Sequence, residues 1–337
     1  MIQVKDLHVS FYTRRGEVKA VRGVNFEVQK GEIVAIVGES GCGKSVTAQA
    51  ILRLMDPAIG KIKQGEIWFA EKDLTKVPER EMERIRGAEI SMIFQDPMTA
   101  LNPTLTIGEQ LMEGLIRHKQ IRRKEAKERA LEMLETVGIP NPTLRIKQYP
   151  HQLSGGMRQR VMIAIALSLE PKLLIADEPT TALDVTVQAQ IMDLIQQLKE
   201  KWNTSILFIT HDLGVVAEYA DKVIVMYAGK VVEASSVDRI YTNPKHPYTW
   251  GLFASLPKLN QTDDQALQSI PGSPPNLLNP PRACPFVSRC AYAMKICAEE
   301  MPPLRSVDSG HTVACWINHP EAPKVERPAM IEGGENG

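Results

Sequence analysis

The chain has 337 residues, with 40 basic and 40 acidic side chains, no formal net charge and an aromatic content of 5%. Single cores stop growing near about 250–300 residues, so this length predicts two domains. Balanced charge gives no global pull toward nucleic acid or anionic lipid, and so few aromatic rings offer no platform for stacking bases; no nucleic-acid partner is expected.

The first residues alternate as strands do: Ile2, Val4 and Leu7, then Val18, Val21, Val24, Phe26 and Val28, ended by Lys30-Gly31. This predicts an antiparallel β layer. A buried strand, Ile33 to Val37, then runs into Gly38-Glu39-Ser40-Gly41-Cys42-Gly43-Lys44-Ser45, which fits the pattern G-x-x-x-x-G-K-[ST]. The glycines let the backbone turn tightly and aim successive N–H groups inward, and the helix that opens here adds its positive end. A nucleotide phosphate is the expected ligand, with Lys44 reaching the β- and γ-phosphates and the Ser45 hydroxyl on Mg²⁺. Cys42 reads as a small loop residue whose place beside the phosphates makes it a candidate for oxidation or alkylation.

From about Leu111 to Val137, apolar residues recur at three- and four-residue spacing, which predicts a helical insertion. Further on, Leu153-Ser154-Gly155-Gly156-Met157-Arg158-Gln159-Arg160 opens the apolar stretch Val161 to Leu169. A helix start with two glycines and a cap-type serine can hold an anion through backbone donors. The longest apolar runs, such as Val161 to Leu167, are far below the ~20 residues of a membrane span. With no charged-then-apolar secretory pattern at the N-terminus, the chain is expected to be cytosolic, touching membrane only through partners.

Strand patterns return at Leu173 to Ala176, ending in Asp177-Glu178, and at Ile206 to Ile209, followed by Thr210-His211-Asp212. Alternation with helices predicts a mostly parallel sheet. Asp177 at a strand end is suited to Mg²⁺, and Glu178 to polarising the water that attacks a γ-phosphate. Beyond Ala228-Gly229-Lys230 the regular pattern fades. Pro257, Pro271, Pro274, Pro275, Pro280 and Pro281 mark a stiff, irregular connection, and the polar tail from Pro323 to Gly337 is expected to be disordered. Between them stand Cys284, Cys290, Cys297 and Cys315. Four thiolates suit tetrahedral Zn²⁺ or a [4Fe–4S] cluster, with free or disulfide-bonded cysteines the remaining reading; the Cys-x-x-Cys pairs of structural zinc sites are missing, and His311 is a substitute ligand in the zinc case.

Taken in order, these motifs resemble those of the ATP-binding cassette (ABC) ATPases, with Met157 standing where the signature usually has Gln. The resemblance implies an α/β P-loop NTPase fold over residues 1–235, with an antiparallel β layer and a helical insertion at about 96–165, and a small Cys-rich extension over 236–337. It implies nucleotide contacts from Gly38 through Val46, including Glu39, Ser40, Gly41 and Gly43. Phe11, or its neighbour Tyr12, falls where the family places an aromatic ring on adenine. Gln95 resembles the Q-loop glutamine, a further Mg²⁺ contact, Thr181-Ala182-Leu183-Asp184 the D-loop, and His211 the switch histidine. Two such subunits pack head to tail in the family, so Ser154, Gly155, Gly156, Gln159 and Asp184 would serve the partner's nucleotide.

Phe94-Gln95-Asp96-Pro97-Met98-Thr99-Ala100-Leu101-Asn102-Pro103, Tyr149 to Met157 and His246-Pro247-Tyr248-Thr249 further resemble the ATP-binding subunits of bacterial oligopeptide and dipeptide importers, in the form of the first of their two ATPases. That implies an ATPase at the cytoplasmic membrane face that energises peptide import, working with a second ABC ATPase as a heterodimer, two transmembrane permeases docked around Gln95 to Pro103, and an extracytoplasmic peptide-binding protein. A related importer for nickel or another solute, or a soluble non-transport cassette, is the alternative. The cysteines resemble the family's C-terminal Cys box, which implies a [4Fe–4S] cluster, with Cys290-Ala291 in place of the usual Cys-Pro. Such a cluster would pin the extension to itself, and ATP binding at Lys44 would be independent of it.

Overall fold

The structure, a computed structural model, describes residues 1–180, 184–255 and 269–326. Thr181, Ala182 and Leu183 of the expected D-loop, Pro257, and the tail from residue 327 lie outside the described residues. Strands in chain order are β1 (Ile2–Thr13), β2 (Gly16–Val28), β3 (Ile33–Val37) and β4 (Gly60–Phe69). There follow β5 (Lys72–Asp73), β6 (Ile90–Ile93), β7 (Leu173–Asp177) and β8 (Ser205–Ile209). The last four are β9 (Lys222–Tyr227), β10 (Lys230–Ser236), β11 (Arg305–Asp308) and β12 (His311–Val313).

Two compact units divide the chain, neither continuous in sequence. One gathers residues 2–27, 34–75 and the described residues from Thr210 onward; the other gathers Met1, 28–33 and 76–209. In the first unit the expected antiparallel layer has the order β2-β1-β4-β5. β1 pairs with β4 from Ile2–Phe69 to Phe11–Gly60, and a bulge after Lys5 explains why the apolar spacing at Ile2, Val4, Leu7 and Val9 changes step. Gly65 sits opposite it at φ +104, where a Cβ would lie 2.4 Å from the Asp6 carbonyl oxygen, so no larger residue fits.

The phosphate-loop strand β3 runs parallel to β9, with Val34 beside Lys222. Ala228 and Gly229, at φ 47° and 80°, close the β9–β10 hairpin; positive φ at both central residues matches the twist of the flanking strands. The C-terminal hairpin β11–β12 then adds to β10, with Glu233 opposite Val313. Regular structure therefore continues past Ala228, contrary to the fading pattern, through helices Val237–Thr242 and Pro247–Ala254. The pattern fades because a glutamate interrupts it. Glu233 is fully buried in β10, where its carboxylate accepts from the Lys245 and His246 backbone N–H groups and the Thr249 hydroxyl, and pairs with His311 at 2.8 Å.

In the second unit β6, β7 and β8 are parallel, with Leu173 flanked by Ile90 and Ser205. All of their residues are buried, which is why they read as continuous apolar runs. The expected helical insertion is two helices, Ile107–Lys119 and Arg123–Thr136, separated because Gln120 turns left-handed at φ 53°. Thr106 and Glu109 form a capping box at the first, and the Thr106 donors hold the Glu109 carboxyl below its usual range. Helix Gly155–Leu167 buries Val161, Met162, Ile163, Ala164, Ala166 and Leu167, so nearly its whole circumference is core. Among the described residues no helix is long and apolar enough to cross a membrane.

Candidate functional site

The phosphate loop leaves β3 at Gly38 and enters helix Lys44–Ile51 through Gly43. Gly38 at φ +148 and Gly43 at φ +104 both lie in the glycine-favoured region. A Cβ on Gly38 would fall 2.2 Å from the Met226 carbonyl oxygen, and one on Gly43 2.5 Å from that of Ala20. The loop thus packs against its own unit's backbone where only glycine fits. Lys44, 6% exposed, directs its ammonium into the concavity, donating to the Gly38 carbonyl at 2.7 Å and the Glu39 carbonyl at 3.1 Å. Ser45 and Val46 are half-buried in the first helical turn, and Ser40 and Gly41 are exposed. Cys42 is buried, and desolvation pushes its thiol up although Lys44 lies near. A thiol held protonated and covered is a poor nucleophile, which argues against the expected susceptibility to alkylation.

Two residues to which sequence reasoning assigned no role hold this loop. The Tyr248 hydroxyl accepts from the Glu39 backbone N–H at 2.8 Å, and burial pushes its phenol up, so it stays neutral. Arg289 grips the Glu39 carboxylate in a two-point pair at 2.7 and 2.9 Å. Arg289 immediately precedes Cys290, so the cysteine segment touches the loop from which it was expected to stand apart. Its position between two cysteines, as an Arg in an otherwise uncharged turn, was the available signal.

Phe11 and Tyr12 end the long strand β1. Phe11 is half-buried against Gly60, while Tyr12 is 38% exposed, accepts from Lys63 at 2.6 Å and has the Lys61 and Lys63 ammonium groups over its ring. His211 is exposed just past β8. The residue after it, Asp212, caps helix Leu213–Tyr219 and bonds back to the Thr210 hydroxyl, which fixes the backbone that presents the ring.

In the other unit, Asp177 ends β7 and is 4% exposed; Glu178 follows at φ 47°, its N–H donating to the Ile209 carbonyl. A non-glycine residue in this region is strained, and here it turns the carboxylate out of the strand end. Gln95, two residues beyond β6, donates its amide to Glu178 at 3.0 Å. Neighbouring parallel strands thus bring Gln95 and Glu178 together. Ser154 and Gly155 are exposed, and Ser154 caps its helix by accepting from the Met157 N–H at 3.3 Å. A Cβ on Gly155 would meet nothing within 4 Å, and one on Gly156 only Val187 at 3.6 Å. Asp184 is exposed and caps helix Val185–Trp202. Gln159, expected to face a partner, is instead 2% exposed and donates to the Pro179 carbonyl of its own chain. An apolar helix buried nearly all round carries it inward.

The four C-terminal cysteines are free thiols. All of them line one narrow cavity of about 10 Å³, about the room of a single water. Burial, followed by their mutual proximity, pushes Cys284 up to about 11 and Cys315 up to about 12. Among the described residues no three His, Cys, Asp or Glu side chains stand in an arrangement able to hold a metal ion. In number and chemistry the donors fit a four-thiolate site, but as packed the thiols would have to turn toward a common centre.

A glycine loop of this geometry, running from a buried strand into a helix, is that of a P-loop nucleotide-binding protein. Residues 21–181 match the ABC transporter family, and residues 232–297 match the C-terminal region of oligopeptide/dipeptide transporters. The oligopeptide transport ATP-binding protein OppD of Bacillus subtilis (strain 168) is 57% identical, the match covering 98% of this chain and 93% of that protein. The dipeptide transport ATP-binding protein DppD of the same organism is 54% identical, over 96% of each chain. Among solved structures, the dimeric post-hydrolysis state of an ATP-binding cassette bound to ADP and Pi has a TM-score of 0.64 at 30% identity, covering 70% of this chain and 99% of that one. The chain belongs to the family of ATP-binding subunits of oligopeptide and dipeptide ABC transporters.

Proposed function

We propose that this chain hydrolyses ATP to energise import of oligopeptides or dipeptides through a membrane ABC transporter. The observation that carries the peptide assignment is the match of residues 232–297, which lie beyond the first family match, to the C-terminal region of oligopeptide/dipeptide transporters. The start of that match at residue 232 lies near the proposed division at 235/236 between a cassette, with its helical insertion at about 96–165, and an extension.

Lys44 holds the β- and γ-phosphates, the backbone N–H groups from Gly38 to Val46 cradle them, and Phe11 stacks on adenine, since the Tyr12 ring is taken up by two lysines. Ser45, Gln95 and Asp177 are the residues that would hold Mg²⁺, which supplies charge neutralisation on the phosphates when bound. Glu178 accepts the proton of the attacking water while the γ-phosphoryl group passes to that water's oxygen, leaving ADP and Pi. The Gln95 amide, bonded to Glu178, orients its carboxylate, and His211 steadies the γ-phosphate. Ser154, Gly155 and Gly156, with Asp184, serve the nucleotide of the partner subunit. Exposure of Ser154 and Gly155 and the dimeric state named for the solved cassette support this pairing.

The partners are a second ABC ATPase in a heterodimer, two permeases and an extracytoplasmic peptide-binding protein, with the chain peripheral at the cytoplasmic membrane face. Phe94, 41% exposed beside Gln95, supports a docking surface around Gln95 to Pro103. Cys284, Cys290, Cys297 and Cys315 are assigned to one [4Fe–4S] cluster, with Zn²⁺ the alternative; four free thiols lining one cavity supply the donors for either once they turn inward, and the role is a structural cross-link. Co-purification from the native membrane tests the assembly, and recovery of a second ATPase with two polytopic proteins is expected. Recovery of ribosomes or nucleic acid alone would overturn it. Anaerobically prepared protein should contain about four irons per chain; one zinc and no iron would replace the cluster with a zinc site.

A further inference from the structure

Arg289 uses its whole hydrogen-bonding capacity, five N–H donors, at one place. Two meet the Glu39 carboxylate at 2.7 and 2.9 Å, one the Tyr227 hydroxyl at 3.2 Å, and two the carbonyls of Pro271 and Ile270 at 2.8 and 3.2 Å. Its side chain is 4% exposed, against 26% for Glu39, so the pair is shielded from solvent on the arginine side. Beneath it, Tyr227, Tyr248 and Phe286 form a cluster of rings with centroids 4.6 to 5.4 Å apart.

Glu39 is the second residue of the phosphate loop, and each of its polar groups is engaged. Its N–H donates to Tyr248, its carbonyl accepts from Lys44 and its carboxylate meets Arg289. An uncompensated carboxylate here would repel a polyphosphate held by the same loop. Arg289 lies in the turn Val287–Arg289, closed by the Arg289 N–H on the Phe286 carbonyl and the Cys290 N–H on the Val287 carbonyl. Cys284 and Cys290, at either end of that segment, line the cysteine cavity.

We propose that Arg289 is a positioning residue for ATP: it neutralises Glu39 and sets the phosphate loop, so that nucleotide affinity depends on the shape of the cysteine-bearing turn. This rests on Gly38 to Val46 being the ATP site. A planar fork satisfied at both oxygens fixes the direction of the Glu39 carboxylate as well as its charge, which a lysine does only in part.

The test is equilibrium binding of a fluorescent ATP analogue to the full chain, with thermal unfolding measured in parallel. Arg289→Ala should weaken binding about tenfold or more, as losing one member of a shielded charge pair does, and Arg289→Lys should restore part of it. In a Glu39→Gln background Arg289→Ala should cost less than about threefold, because contacting residues couple and the charge to be neutralised is gone. Cys290→Ser should weaken binding in the wild-type background more than in the Glu39→Gln background. Equal losses from Arg289→Ala in both backgrounds, or no loss in the wild type, would overturn the proposal. If Arg289→Ala does not fold, Arg289→Gln carries the same comparison. Lys44→Ala separates the two readings: normal binding in that variant would overturn the ATP site itself, whereas lost binding there with an indifferent Arg289→Ala would overturn only the role of Arg289.

Discussion

Replacing Glu233 with alanine removes the acceptor of four donors from a site with no solvent. The carboxylate is 0% exposed and takes the backbone N–H groups of Lys245 and His246, the Thr249 hydroxyl and the His311 ring nitrogen. Each buried donor left unsatisfied costs about 1–3 kcal/mol, so four at the low end cost about 4 kcal/mol. That is a large share of the roughly 5–15 kcal/mol that stabilises a domain. Glu233→Gln keeps one acceptor oxygen with two lone pairs and should cost about half as much. The damage should centre on residues 245–249 and 311–313, where the four donors lie. Denaturant unfolding gives the total, and amide hydrogen exchange resolved along the chain gives its location. An alanine variant within about 1 kcal/mol of wild type, or a glutamine variant as damaged as alanine, would refute the reasoning.

His246 is buried, and desolvation lowers its pKa to about 4, against 6.5 for an ordinary histidine. Between those pH values the unfolded chain binds a proton that the folded chain does not, so stability falls as pH drops, by about 1.4 kcal/mol per unit and about 3 kcal/mol in all. It is fully present above pH 6.5, and the urea midpoint of His246→Asn should lose this component of the slope. Gly38→Ala should weaken nucleotide binding about tenfold or more, since the new methyl meets the Met226 carbonyl at 2.2 Å and the backbone must move; a binding titration checks it. Gly155→Ala meets open space, so stability should stay within about 1 kcal/mol of wild type or rise slightly, as alanine favours helix. ATPase activity of the assembled transporter should fall in that variant, and a large loss of stability would show that Gly155 serves its own chain.

Local chemistry makes much of this molecule legible from its sequence. Gly38, Gly43 and Lys44 announce a phosphate loop because the demand for positive φ and close packing is written in consecutive residues. The same holds for β7, whose fully buried run ends in Asp177-Glu178. What stays hidden depends on distant partners. Arg289 and Glu39 are 250 positions apart, and nothing near either one names the other. Glu233 resembles a solvent-facing interruption until His311 and residues 245–249 fold over it, and so the pattern of β10 to β12 reads as irregular chain. Gln159 falls within a motif associated with intersubunit contact, yet the burial of its helix decides where its amide points.

The central claim is that Glu178 takes the proton of the water that attacks ATP. Single-turnover hydrolysis by Glu178→Gln in the assembled transporter, alongside equilibrium ATP binding by the same protein, tests it most directly. Binding should persist, because Lys44 and the glycine loop hold the phosphates, while hydrolysis should slow by about 10²–10⁴-fold, the contribution of a positioned general base. Hydrolysis near the wild-type rate would contradict the account.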